Sequence, residues 1–399
     1  SLAEVAIIGM AVVVLMACYL PPIVFNWLTK KKGKLREVPL TLKRLFYSIL
    51  TFIVFFVSAF LVITPLTLIY ILLGPNTEKK RYRYHQMIAF LMKVGMKAIP
   101  GIKYTVENKF GETFEKPAVI IANHQSHLDL LCMMMLHPKV VILTTDWVWK
   151  NPIYGVIIRF AEFYPVSDGY DKNVARLQKL VKRGYSVVVF PEGTRSVTGD
   201  IIRFHKGAFS LAQALNVDLL PVFIHGVHHV MPKKDAVLRE GKVYVEIGQR
   251  MPAHDVAASD ARALTSQYHD YYVKHFEEIR TLRENTEYVL PFVKYKYIYK
   301  GNEVERECRR NLKRIKAHAA EIDALQGGSI LLKNSGYGEL AWTIALVHRD
   351  MQVYAVEADE DKHLIASHTS HIPDNLHFVA SDAEAPKGDC VIDAQMFLK

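Results

Sequence analysis

Residues Pro117 to Asp129 read PAVIIANHQSHLD, and residues Ser186 to Ser196 read SVVVFPEGTRS. Each stretch opens on a short apolar run without a polar face, the pattern of a strand buried on both sides. Each run then stops at a turn of polar and charged residues. In the first, His124 and Asp129 stand five residues apart across a strand-to-helix turn. A histidine at a strand end faces a cleft. An aspartate in the next helical turn accepts its Nδ1–H and leaves Nε2 as a general base. The plain alternative is an aspartate capping a helix beside an exposed histidine. A metal pair from His124 and His127 is a further alternative, without an HExxH pattern or a third ligand nearby. In the second stretch, Gly193 permits a tight turn with Thr194 and Arg195 at its tip, where a guanidinium suits bidentate binding of phosphate. Lys206, within RFHKGAF, and Arg203 are further cations for such a pocket. A surface turn with a solvated arginine is the competing reading.

Around these motifs the pattern alternates. Helical spacing covers His85 to Ile99, Leu128 to Leu136, Val174 to Lys182, Gly207 to Leu215 and a long stretch from Ala257 to Glu284. Strand-like runs cover Lys103 to Glu107, Val140 to Leu143, Leu219 to Ile224 and Val243 to Ile247. This alternation predicts an α/β fold, a mixed sheet flanked by helices.

The two motifs together, with Glu192 placed 68 residues after His124, resemble the glycerolipid acyltransferase superfamily of the 1-acyl-glycerol-3-phosphate acyltransferase type. That family carries an N-H-x-S-x-x-D block followed by F-P-E-G-T-R-S. LLPVFIHG, Leu219 to Gly226, is similar to its fourth block. The resemblance covers about Arg81 to Glu284. It implies that His124 deprotonates the free glycerol hydroxyl of lysophosphatidic acid, which attacks the thioester of acyl-CoA or acyl carrier protein to give phosphatidic acid. It implies that Asp129 orients His124. Glu192, Gly193, Thr194 and Arg195 would form the acceptor pocket, with Arg195 on the phosphate and Lys206 assisting. No cofactor and no metal are implied. One block departs from the pattern. The family has an arginine after its second motif strand, whereas FYPVSDGYDKN, Phe163 to Asn173, has Ser167 and Asp168 there, with Lys172 or Arg176 as substitutes.

The chain has 399 residues, a formal net charge of +10 and a mean hydropathy of +0.08. A charged fraction of 23% excludes a disordered or low-complexity protein. Cys18, Cys132, Cys308 and Cys390 lie far apart, without the spacing of a disulfide framework or zinc site. The apolar excess is concentrated at the N-terminus. Val5 to Trp27 holds no charged residue, long enough for a bilayer span, and a basic cluster from Lys30 to Arg44 follows. Leu45 to Leu73 is a second uncharged run, interrupted by Thr64-Pro65 and followed by Lys79, Lys80, Arg81 and Arg83. Basic flanks on both sides suit a re-entrant or interfacial segment; a tilted span is the alternative. These features predict a membrane anchor over 1–84, an acyltransferase domain over 85–290 on the cytoplasmic face, and a tail over 291–399. The partners expected are lysophospholipid, acyl donor and membrane surface, not nucleic acid. A start at Ser1 also suits a piece of a longer chain, such as a fusion to a membrane transport or assembly module.

The tail opens on a basic helical stretch, Glu303 to Ala324, and continues as strand, glycine turn, helix and strand from Ser329 to His363. Glu357 follows Gly338 at the interval of a ribose-binding acid behind a glycine-rich turn. This segment resembles the S-adenosylmethionine-dependent methyltransferase fold, as a partial Rossmann-like module. The resemblance implies Gly336, Gly338 and Glu357 as cofactor-binding residues and S-adenosylmethionine as the ligand. Asn334 stands where the family's first glycine would be, and Leu332 where its acid before the turn would be. Cys390 to Ile392 reads as a further strand.

Overall fold

The computed structural model describes residues 2–152, 155–235, 237–381 and 389–398. The chain divides into two compact units: Lys43–Arg280, and Ser1–Leu42 together with Thr281–Lys399.

The first unit is built on six strands, β1 (Ile102–Asn108), β2 (Ala118–Ala122), β3 (Val140–Ile142), β4 (Ser186–Val189), β5 (Asp218–His225) and β6 (Gly241–Ile247). Their order across the sheet is β1-β6-β5-β2-β4-β3. All neighbours are parallel except β5 and β6. Apolar runs without alternation belong in such a sheet, because helices cover its faces. Every residue of β2 is buried. β2 lies between β4 and β5, with Ile121 opposite both Val189 and Pro221. The three strands therefore end at one edge. Pro221 withholds an N–H from the ladder. Beside it, the Tyr272 hydroxyl donates to the Ile121 carbonyl at 2.7 Å and accepts from the Val222 N–H at 3.1 Å.

The expected helices form with shifted ends, and one expectation is corrected. Ala257 to Glu284 is not a single helix but parts of two, Ala253–Ala258 and Ala261–Arg283. Asp260 makes the break, accepting the backbone N–H groups of Arg262 and Ala263 at 2.9 and 3.0 Å. An aspartate at that position starts a new helix rather than continuing the old one.

The second apolar run is helical from Leu42 to Leu72, long and apolar enough to cross a membrane by length and composition. It continues through Pro65 without reversing, so a re-entrant loop is not what forms. A five-residue π turn, Ala59–Ile63, absorbs the proline instead, and the Thr64 N–H reaches back to the Ala59 carbonyl. A proline without N–H cannot keep the ordinary register, and one wider turn restores it. Near the end of this helix, Thr67 hydrogen-bonds the buried Tyr84 hydroxyl at 2.9 Å.

The second unit contains the helix Leu2–Thr29, the ladder of Lys30–Lys31 with Lys34–Leu35, and the C-terminal segment. The Tyr299 hydroxyl donates to the Leu40 carbonyl at 2.7 Å, tying the N-terminal segment to the rest of that unit. The basic stretch splits into Asn302–Ala317 and Ala319–Asp323. Four parallel strands follow, β7 (Ser329–Lys333), β8 (Gln352–Val356), β9 (Leu376–Val379) and β10 (Cys390–Asp393), in the order β9-β8-β7-β10. Trp342 is buried in the core of this unit.

Candidate active site

Three segments leave the shared edge of the first sheet: the loop Asn123 to His127 after β2, the loop Phe190 to Ser196 after β4, and Gly226 to Asp235 after β5, which holds the short helix Val227–Val230 before its loop. The C-terminal ends of adjacent parallel strands are where α/β sheets place ligands.

The first loop is fixed from both sides. The Asn123 side chain spans to β5, accepting the Ile224 N–H and donating to the Ile224 carbonyl, both at 2.8 Å. His124 then emerges with its backbone held by the second loop: its N–H donates to Glu192 Oε1 at 2.7 Å, and its carbonyl accepts the Ser196 N–H at 2.7 Å. The Phe190 ring stacks on the imidazole, centroids 4.2 Å apart.

Asp129 lies in the first turn of the helix Leu128–Met134 and is fully buried. Its Oδ2 is 2.8 Å from His124 Nδ1 and also accepts the N–H groups of Gln125 at 2.7 Å and Ser126 at 2.8 Å. An oxygen that accepts backbone N–H groups at a helix start is also placed to accept an imidazole N–H. It therefore takes the Nδ1–H, which leaves the Nε2 lone pair as the basic site. The helix-capping alternative and the orienting role turn out to be one arrangement, since the same oxygen does both.

The second loop places its residues differently from one another. Gly193 adopts a φ of +66°, and a Cβ there would approach the His205 ring to 3.2 Å. The Arg195 side chain is half-buried beside the dyad. Its guanidinium has no hydrogen-bonded partner among the described residues. Burial lowers its pKa, opposed by the Asp129 charge. The His127 pKa is lowered too, first by burial and then by Arg195. Glu192 is not the open acceptor-pocket residue that the motif implies. It is 2% exposed, turned inward onto the His124 and Ile202 backbone N–H groups. Burial raises its pKa to about 8. Among the described residues its Oε2 has no hydrogen-bond partner.

The remaining expected cations do not converge. Lys206 is exposed at the start of the helix Gly207–Leu215, and among the described residues it makes no bond to His124, Asp129 or the Glu192–Arg195 turn. Arg176 and Lys172 both face Asp168, the latter at 3.5 Å. Both are drawn to the aspartate of the departing block rather than to the His124–Arg195 site. Lys233, unremarked in the sequence, is at the site instead. Its Nζ donates to Thr194 Oγ1 at 2.8 Å and to the Arg195 carbonyl at 2.7 Å. The only signal for it was a lysine soon after a strand that shares the edge.

In the second unit the glycine turn forms as read. Gly336 and Gly338 have φ of +61° and +88°, and Asn334, in the place of the first glycine, also takes a left-handed φ of +52°. Asparagine tolerates that region better than other side chains. A Cβ on Gly338 would overlap Phe378 at 2.5 Å. Glu357, past the end of β8, accepts the Gly336 N–H at 2.6 Å and the Asp359 N–H at 3.0 Å.

Residues 101–225 match the protein-family model described as Acyltransferase. The chain is 30% identical over 200 residues to the chloroplastic 1-acyl-sn-glycerol-3-phosphate acyltransferase LPAT1 of Arabidopsis thaliana, covering 48% of this chain and 55% of that one. It is 29% identical over 216 residues to 1-acyl-sn-glycerol-3-phosphate acyltransferase alpha of Homo sapiens, covering 52% and 74%. The chain thus spans about half the length of the plant relative and three quarters of the human one. Among solved structures it is similar to the 1-acyl-sn-glycerophosphate acyltransferase PlsC of Thermotoga maritima, with a TM-score of 0.52 and 23% identity over 59% of this chain and 96% of that one. That likeness concerns the fold. Together these findings support a glycerolipid acyltransferase-like enzyme domain in this part of the chain.

Proposed function

We propose that the enzyme transfers a fatty acyl group from a thioester donor, acyl-CoA or acyl carrier protein, to the free hydroxyl of lysophosphatidic acid. The observation that carries this reading is the His124–Asp129 dyad, with its Nδ1 to Oδ2 distance of 2.8 Å, beside an Arg195 guanidinium that has no hydrogen-bonded partner among the described residues. The acceptor hydroxyl gives its proton to His124 Nε2 as its oxygen attacks the thioester carbonyl. The tetrahedral intermediate then collapses, the C–S bond breaks, and the thiolate takes the proton back from Nε2. The ester and the free thiol are the products. Asp129 holds the Nδ1–H and supports the transient imidazolium. Arg195 binds the acceptor phosphate. The names of the plant and human relatives favour this acceptor. The apolar helix Leu42–Leu72 favours action at a membrane, with the catalytic domain on the cytoplasmic face next to basic flanks.

Transfer of a labelled acyl group from acyl-CoA to lysophosphatidic acid by the purified chain tests this. His124→Ala should lower the rate by about 10²- to 10⁴-fold. Undiminished transfer by that variant rules out the mechanism.

A second reading concerns the C-terminal segment. We propose it as a partial Rossmann-like module, favoured by four parallel strands in the order β9-β8-β7-β10 and by Glu357 facing the glycine turn. In it Gly336 and Gly338 would let the backbone approach a nucleoside ligand, and Glu357 would accept its ribose hydroxyls. Calorimetric titration with S-adenosylmethionine should give saturable binding that Glu357→Ala weakens; no heat of binding refutes this reading.

A further inference from the structure

A phosphate monoester carries a charge of about −1.5 to −2 at neutral pH, so one guanidinium leaves it undercompensated. The block that usually supplies a second cation here supplies Asp168, which faces both Arg176 and Lys172. Lys206 makes no bond to the motif residues among those described. Lys233 is different. It comes from the loop after β5, one strand over from His124, and its ammonium is planted on the Thr194-Arg195 turn by two hydrogen bonds. An ammonium has three N–H donors, so one remains for a ligand next to Arg195.

We infer that Lys233 is the second cation of the acceptor site, holding the Thr194-Arg195 turn with two donors and offering the third to a phosphate oxygen. The inference rests on the acyl-acceptor reading above. It assigns selection of a phosphate monoester over an uncharged glycerol lipid to a residue outside the two sequence motifs.

The test compares wild type, Lys233→Met and Lys233→Arg as full-length chains with lysophosphatidic acid and with uncharged monoacylglycerol as acceptors. Loss of one charge-assisted bond predicts a rise of about 10- to 100-fold in KM for lysophosphatidic acid in Lys233→Met. Lys233→Arg should recover most of it. With Lys233 serving the acceptor alone, KM for the acyl donor should stay within about twofold. Inorganic phosphate should inhibit wild type competitively against lysophosphatidic acid, and Lys233→Met more weakly. An unchanged KM, or equal loss toward both acceptors, overturns the inference and leaves Lys233 a merely structural contact.

A direct binding measurement separates this from failure of the functional reading. Lysophosphatidic acid is titrated into His124→Ala and into His124→Ala/Lys233→Met. If wild type never acylates lysophosphatidic acid, the functional reading falls. Lys233 is then judged on this affinity difference alone: weaker binding in the double variant supports it, and equal binding refutes it.

Discussion

Asp129 does more for His124 than face it. One oxygen gathers the imidazole and two backbone N–H groups, so the loop, the tautomer and the helix start are set together. Asp129→Asn keeps the volume but brings a donor where three donors already converge. It should lower turnover by about 10²- to 10⁴-fold, in the range of losing general-base help, with little change in KM, as read from steady-state kinetics. A large rise in KM with turnover intact would argue that Asp129 shapes the pocket instead. Glu192 makes a different prediction. Its carboxyl keeps its proton to about pH 8 in the folded chain, against an ordinary value of 4.5. Between those values the folded state binds more protons than the unfolded one, so its stabilising effect is full below pH 4.5 and is lost as pH rises through about 8. Glu192→Gln should flatten this decline in denaturant unfolding followed from acid to alkaline pH. Identical slopes for both proteins would show that Glu192 is ionised when folded.

The helix Leu42–Leu72 has 31 residues and is only 11% buried over its most apolar window. At about 1.5 Å per residue it exceeds a bilayer core of about 30 Å. Leu61, in the π turn, is exposed. An environment-sensitive dye on Leu61→Cys, in a background with Cys18 and Cys390 replaced by serine, should be quenched by brominated lipids. The same dye on Leu35→Cys, in the Lys34–Leu35 strand, should not. No quenching at Leu61 would remove the helix from the bilayer. The proline at position 65 was legible as a disturbance, but not its resolution. Whether a helix kinks, stops or widens by one residue depends on what it packs against, and Thr67 and Tyr70 meet Tyr84 just beyond the π turn.

The net charge of +10 predicts that binding to vesicles strengthens with added anionic lipid and weakens with salt, because exposed charges are screened within about 8 Å at physiological ionic strength. Sedimentation with zwitterionic and anionic vesicles across a salt series checks this; salt-independent binding would leave the apolar helix as the whole attachment.

The strands, their termini and the dyad were legible because their causes are local. Apolar runs mark β2 and β4, and a five-residue interval joins His124 to Asp129. Gly336 and Gly338 declared their turn through the backbone region they tolerate, and Asn334, read as a departure from the glycine pattern, takes that region as well. Tertiary structure alone decided the rest. That Glu192 turns inward onto the His124 N–H and that Lys233 reaches Thr194 are contacts brought about by sheet order, the latter across 39 residues of sequence, while Asp168 meets Arg176 where a short turn runs into the next helix. Hydrophobic period and turn chemistry determine which segments become strands. Which loops then share an edge follows from how those strands pack, and no local pattern encodes which cation will stand beside Arg195.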